Sequence, residues 1–163
     1  MTKNRSPSWK TLIADCFAST TFMSLATYGK EGLWVNPVYF AWDKKNDIYF
    51  ISELDCLHMR NIQNSSQVAC TIYPTNQTGD VYGAYLKGHA YVLTDPVDKK
   101  IADDTYYGRV YPNDPNGKSR DADGYRLSPY WHFVKIGIDN LWYFDTRYFE
   151  ERRIKVPVAE IHQ

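Results

Sequence analysis

In the stretch YFISELDCLHMRNIQNSSQV, residues 49–68, the side chains best suited to chemistry crowd together: Ser52, Cys56, His58, Arg60 and Asn61. The stretch passes from an apolar, strand-like segment into a short helical one, so the cluster surrounds the turn between them. A helix start gathers unpaired amides and the positive end of the helix dipole. That combination suits an anion such as a phosphate, with Ser52 donating and His58 or Arg60 supplying charge. The competing reading is structural: Ser52 followed three residues later by Asp55 matches a capping pattern in which both side chains satisfy amides of the helix start. Glu53 and Asp55 also oppose an anion, because carboxylates at that end repel it. His58 and Arg60, two positions apart, project from nearly opposite sides of a helix, so on a helix they cannot both face one ligand.

Other chemistry finds little support. The chain has no nucleophile elbow, HExxH, phosphate-binding loop or GxGxxG. His58, His89, His132 and His162 are scattered, none beside a second ligand at finger-like spacing, and no metal site is expected. His89 and His132 sit in strand-like runs among aromatic neighbours, where packed or surface histidines are the usual case. Cys16, Cys56 and Cys70 form no CxxC and do not pair evenly, which fits free thiols in a reducing compartment.

With 163 residues and 44% hydrophobic side chains, the chain can bury one core, and a single domain over 1–163 is expected. Its formal net charge is zero, which disfavours nucleic-acid binding. No run approaches the ~18 to 20 apolar residues of a membrane span, and MTKNRSPSWK does not open a signal peptide, so a cytoplasmic protein without membrane contact is expected. Fourteen Tyr, seven Phe and five Trp suit strands, and either a wide core or an interface must hold them.

The elements that must position the cluster can be read from periodicity. SPSWKTLIADCFAST places Trp9, Leu12, Ile13, Cys16 and Phe17 on one helical face, with Ser6 as cap and Pro7 at the first helical position. TTFMSLATY, LWVNPVYFAWD and IYFIS follow as strands joined by short turns, an antiparallel meander. Pro37 removes a ladder donor from the second run and marks an edge, a bulge or a place where something other than a strand lies alongside. After the short helix, VACTIYPT and VYGAYLKGHAYVLTD read as strands, with Gly83 and Gly88 hinting at bends. DPVDKKIADDTYYGRVYP predicts a helix near 96–111, opened by Asp95 and Pro96. Residues 113–124, NDPNGKSRDADG, predict an exposed loop that is either a lid or a bystander. YWHFVKIGIDNLWYFDT predicts two further strands around Gly137 and Asp139-Asn140. Consecutive strands, rather than strands alternating with helices, point to a mostly β, antiparallel barrel of six or seven strands with helical decoration, which the resemblance that follows implies is a split barrel.

The order of motifs resembles the FMN-binding split-barrel family related to pyridoxamine 5′-phosphate oxidase. The matching segments are TFMSLATYGKEGLWVNPVYFAWD, DIYFIS, HMRNIQNSSQVACTI and LKGHAYVLTD, covering roughly residues 22–95. The resemblance implies a homodimer that clamps FMN at its interface and exchanges electrons with a small-molecule donor, such as a reduced nicotinamide, and a small acceptor. It implies that Val35, Asn36, Pro37 and Val38 run past the flavin ring, and that Ile51 and Ser52 approach the ribityl chain and phosphate. His58 falls where the family has a phosphate-binding Lys or Arg. Lys87 is a further contact, and Trp142 covers the ring from the partner subunit or packs in the core. No catalytic residue is implied, because the flavin ring carries the redox chemistry. Where classical oxidases read Ser-Arg-Lys, this chain reads Cys56-Leu57-His58, which implies a weak or pH-dependent hold on flavin. Two other readings stay open: a haem or other flat-cofactor binder with His58 or His89 as ligand, and a cofactor-free dimeric stress or interaction protein.

Overall fold

A computed structural model describes residues 7–75, 79–113, 128–150 and 152–162. The first helix, α1 (Trp9–Ala18), buries Leu12, Ile13, Cys16 and Phe17, the predicted face. Its cap is Ser8, which accepts a hydrogen bond from the Thr11 amide. This corrects the expected Ser6 cap: Pro7 precedes the capping residue instead of opening the helix.

Four strands come next: β1 (Phe22–Gly29), β2 (Gly32–Tyr39), the two-residue β3 (Ala41–Trp42) and β4 (Ile48–Glu53). Helix α2 (Leu57–Asn64) leads into β5 (Gln67–Ile72) and the long β6 (Tyr82–Val92). Helix α3 (Pro96–Val110), β7 (Trp131–Asp145), β8 (Ile154–Val156) and a 3-10 turn over Val158–Glu160 complete the described elements. The two strands expected around Gly137 are one 15-residue strand, β7. Pairing with β6 runs along most of its length, and the register shifts where Lys87 faces Asn140 and Gly88 faces Ile138, so the extra residue is Asp139 of β7, at the expected break. The loop expected at 113–124 lies, from 114 onward, outside the described residues.

Every strand pair is antiparallel, in the order β2-β1-β5-β6-β7-β4-β3, with β8 added along β7. The two ends of that order are consecutive in the chain. β2 ends at Tyr39, β3 begins at Ala41, and only Phe40 lies between them. A sheet whose opposite edges are one residue apart has to curl on itself, since neighbouring Cα atoms are only about 3.8 Å apart. The barrel is therefore closed by covalent chain at Phe40, whose amide donates to the Thr21 carbonyl at 3.3 Å. Away from this corner no ladder joins β2 to β4 among the described residues, and the barrel is split there.

The interior holds Phe17 and Ile13 of α1 together with Met23, Leu25, Phe40, Phe50, Ile72, Leu141 and Tyr143, all nearly or fully buried. Strand alternation produces this core: β1 buries Met23, Leu25 and Thr27 and turns the intervening side chains outward. α2 packs on β1 through Asn61, whose amide donates to Thr27 Oγ1 at 3.3 Å and to the Gly32 carbonyl at 3.1 Å. The approach is so close that a Cβ on Gly29 would collide with the Asn61 side chain, so glycine is required there.

α3 opens as predicted, with the Asp95 carboxylate accepting from the amides of Val97 and Asp98 and Pro96 in the first turn. Its far end is anchored at the closing corner by Arg109. The guanidinium lies over both Phe40 and Trp42, 4.4 and 4.3 Å from the ring centres. It donates to the Phe40, Phe17 and Thr20 carbonyls at 2.6, 2.9 and 2.5 Å. The helix is thereby held across the split.

Candidate functional site

The split forms a groove of about 410 Å³, within the usual size range of small-molecule sites. Asn36, Pro37, Val38 and Tyr39 of β2 make one wall, and Ile51 and Ser52 of β4 make the facing one. His58 of α2 and Trp131 of β7 also line it, and Phe22 stands at the start of β1. α3 contributes Tyr106, Tyr107, Val110 and Tyr111. The groove is therefore apolar and rich in flat rings. Tyr107 and Tyr111, one helical turn apart, stack with ring centres 6.1 Å apart and planes 17° from parallel.

One end of the groove carries the polar cluster. Ser52, 5% exposed, is linked through its hydroxyl to His58 Nε2 at 2.8 Å and to Cys56 Sγ at 3.2 Å. Cys56 Sγ donates to the Glu53 carbonyl at 3.0 Å and lies 3.4 to 3.5 Å from the His58 ring nitrogens. The capping-box reading is corrected here: the residue in cap position is Cys56, without a side-chain cap bond, and Ser52 bonds to side chains of the cluster. Burial pushes the His58 imidazole below its ordinary value, which leaves it uncharged at neutral pH. Arg60 projects elsewhere, as helical spacing requires: it forks onto Glu31 at 2.7 and 2.9 Å and donates to the Asp55 carbonyl. At the middle of β2, Asn36 Nδ2 donates to the Pro37 carbonyl at 3.3 Å, and Asn36 Oδ1 is buried with no hydrogen-bond partner.

Of the residues singled out from sequence, Asn36, Pro37, Val38, Ile51, Ser52 and His58 meet in this groove. Val35 is 63% exposed and is not among the groove's lining residues. Lys87 lines a second hollow of about 430 Å³ beside His89 and Asp139. Trp142 lies between Lys87 and Lys155, whose amines are 6.0 and 5.8 Å from its ring centre. In that second hollow His89 bridges Ser66 Oγ at 2.9 Å and Asp139 at 3.2 Å, tying the start of β5 to β7. The α3 tyrosines and Trp131 were not foreseen as site residues. The signal available for the helix was the aromatic run at its end, DTYYGRVY. Among the described residues no group of three or more potential ligands could hold a metal ion.

The fold and its groove define an antiparallel split-barrel protein with a cofactor-sized site in the split. The pyridoxamine 5′-phosphate oxidase family matches residues 10–143, and the chain belongs to that family. No curated protein matches the sequence. A haem-binding protein from Mycobacterium smegmatis superposes with TM-score 0.74 at 15% identity, over 98% of this chain and 62% of its own length. The haem storage protein from Vibrio cholerae gives 0.65 at 13% identity over 83% of this chain and 94% of its own. A putative pyridoxamine 5′-phosphate oxidase from Listeria innocua gives 0.60 at 14% identity over 81% of this chain and 94% of its own. At these identities the likeness is one of fold. Among the described residues no helix is long and apolar enough to cross a membrane.

Proposed function

We propose that the groove seats a flavin at a homodimer interface and that the protein is a flavin-dependent oxidoreductase exchanging electrons with a small donor and a small acceptor. The observation that carries this reading is the groove itself: a hollow of about 410 Å³ with flat walls, set in the split of a family barrel. A bound flavin would supply the redox chemistry, and the chain's own residues bind and orient it. Tyr106, Tyr107, Tyr111 and Trp131 offer faces for a planar ring and keep water from it. Pro37 leaves one backbone donor out of β2 beside that ring. Asn36 Oδ1, an acceptor without a partner, suits a ring N–H, and Val38 and Ile51 close the apolar floor.

The ring end of FMN therefore has a matching seat; among the described residues its phosphate meets no cationic side chain, because Ser52, Cys56 and an uncharged His58 are what they present at the polar end. Lys87, Trp142 and Val35 lie outside the groove of their own chain and take part in a site only as contributions from a second subunit. The exposed apolar side chains of the β1–β2 edge, Leu33 at 82% and Val35 at 63%, favour such a pairing. The visible spectrum of freshly purified protein and a flavin titration followed by fluorescence quenching test the proposal. Absence of quenching at saturating flavin overturns it.

A haem reading is favoured by one observation, a neutral imidazole, His58, at the end of an otherwise apolar groove, alongside the two haem-related structural neighbours. A Soret band on adding haem, lost in His58→Ala, distinguishes it from a flavoprotein.

A further inference from the structure

We infer that the groove takes a flavin whose ribityl chain ends in an uncharged hydroxyl, as in riboflavin, in preference to one ending in a phosphate. The inference rests on the flavin reading above and concerns the end of the groove formed by Ser52, Cys56 and His58.

A phosphate dianion withdrawn from water needs cations or several free donors to replace its hydration. The described lining residues of the groove include no Arg or Lys. The arginines of α2 and α3, the described helices that border the groove, are already committed. Arg60 is forked onto Glu31 on the outer side of α2, and Arg109 spends its donors on three backbone carbonyls at the closing corner. The Glu53 and Asp55 carboxylates of the same turn add negative charge. The Glu53 carbonyl is turned toward Cys56 and adds an acceptor to the same turn. Among the described residues, the side chains that remain at this end are a hydroxyl, a thiol and a neutral imidazole within 3.5 Å of one another, each able both to give and to accept a hydrogen bond. A sugar-alcohol hydroxyl does the same, so it joins this cluster by exchanging partners. A phosphate can only accept, and it brings two charges that no cationic side chain in the cluster balances.

Parallel fluorescence-quenching titrations of the full-length protein with riboflavin and FMN, at neutral pH and moderate salt, test this. The expected result is riboflavin binding at least as tightly as FMN. In His58→Lys the ratio of affinities should move at least tenfold toward FMN while riboflavin binding is retained, which also reports that the variant is folded. FMN binding tenfold or more tighter than riboflavin in the unmodified protein overturns the inference and leaves the flavin reading intact. A riboflavin preference that His58→Lys does not move overturns the assignment of the chain terminus to this cluster. No quenching by either ligand overturns both.

Discussion

The imidazole of His58 and the hydroxyl of Ser52 are joined at 2.8 Å across the gap between helix α2 and strand β4, at the polar end of a groove otherwise walled by rings. The contact couples a titratable group to a nearly buried one, so its behaviour is open to measurement.

Acid should weaken the fold through this histidine. Burial lowers the folded-state value of His58 below the ordinary ~6.5, so between the two values the unfolded chain binds the extra proton. Stability then falls as pH drops from about 6.5 toward the lowered folded value and levels off beneath it. Thermal melts between about pH 7.5 and 5 should show a decline in Tm that is shallower in His58→Gln.

The three thiols should react at very different rates. Burial pushes Cys16 and Cys70 up to about 12, while Cys56 is only half-buried at the edge of the groove. A thiol-specific reagent should modify one cysteine per native chain and three after denaturation, with Cys56→Ser abolishing the native reaction. A riboflavin-saturated sample should react more slowly if the groove is the flavin site.

Arg109 holds α3 to the corner where the barrel closes. Removing it leaves the Phe40, Phe17 and Thr20 carbonyls without their charged donor and uncovers the faces of Phe40 and Trp42. Arg109→Ala should lower stability by about 1.5–3 kcal/mol in urea unfolding. Arg109→Lys should recover only part of that, because an ammonium cannot fork onto several carbonyls from one plane.

Two neighbouring polar residues on α2 should differ in importance. Asn61, 1% exposed, donates to Thr27 and Gly32 from a buried position, and Asn61→Ala should cost about 1–3 kcal/mol. The Arg60–Glu31 pair is exposed to solvent and screened by it, so Glu31→Gln should leave the denaturation midpoint close to that of the parent.

The sequence carried the antiparallel meander, the buried face of α1, the Asp95-Pro96 start of α3 and the family resemblance, because each is written in local spacing. Period-two alternation places Met23, Leu25 and Thr27 inward whatever the rest of the chain does. It also showed that His58 and Arg60 diverge, since two positions on a helix cannot face the same way. The Ser6 cap and the capping box went astray for one reason. A cap is selected among adjacent candidates by where the helix docks, and docking is a long-range property.

The groove was beyond local reading. Its walls come from β2, β4, α2, α3 and β7, and they meet because the chain closes the barrel at Phe40 and Arg109 holds α3 across the opening. The α3 tyrosines read alone as an amphipathic stripe; only the closure of the sheet decides that they look into a hollow. The charge at the polar end was likewise settled in three dimensions, where burial keeps His58 neutral and Glu31 draws Arg60 away. Periodicity fixes which side of an element is apolar, because that depends on neighbours a few bonds away. Which apolar sides meet, and which leave a space, depends on contacts between residues far apart in the chain, and only the packed barrel supplies them.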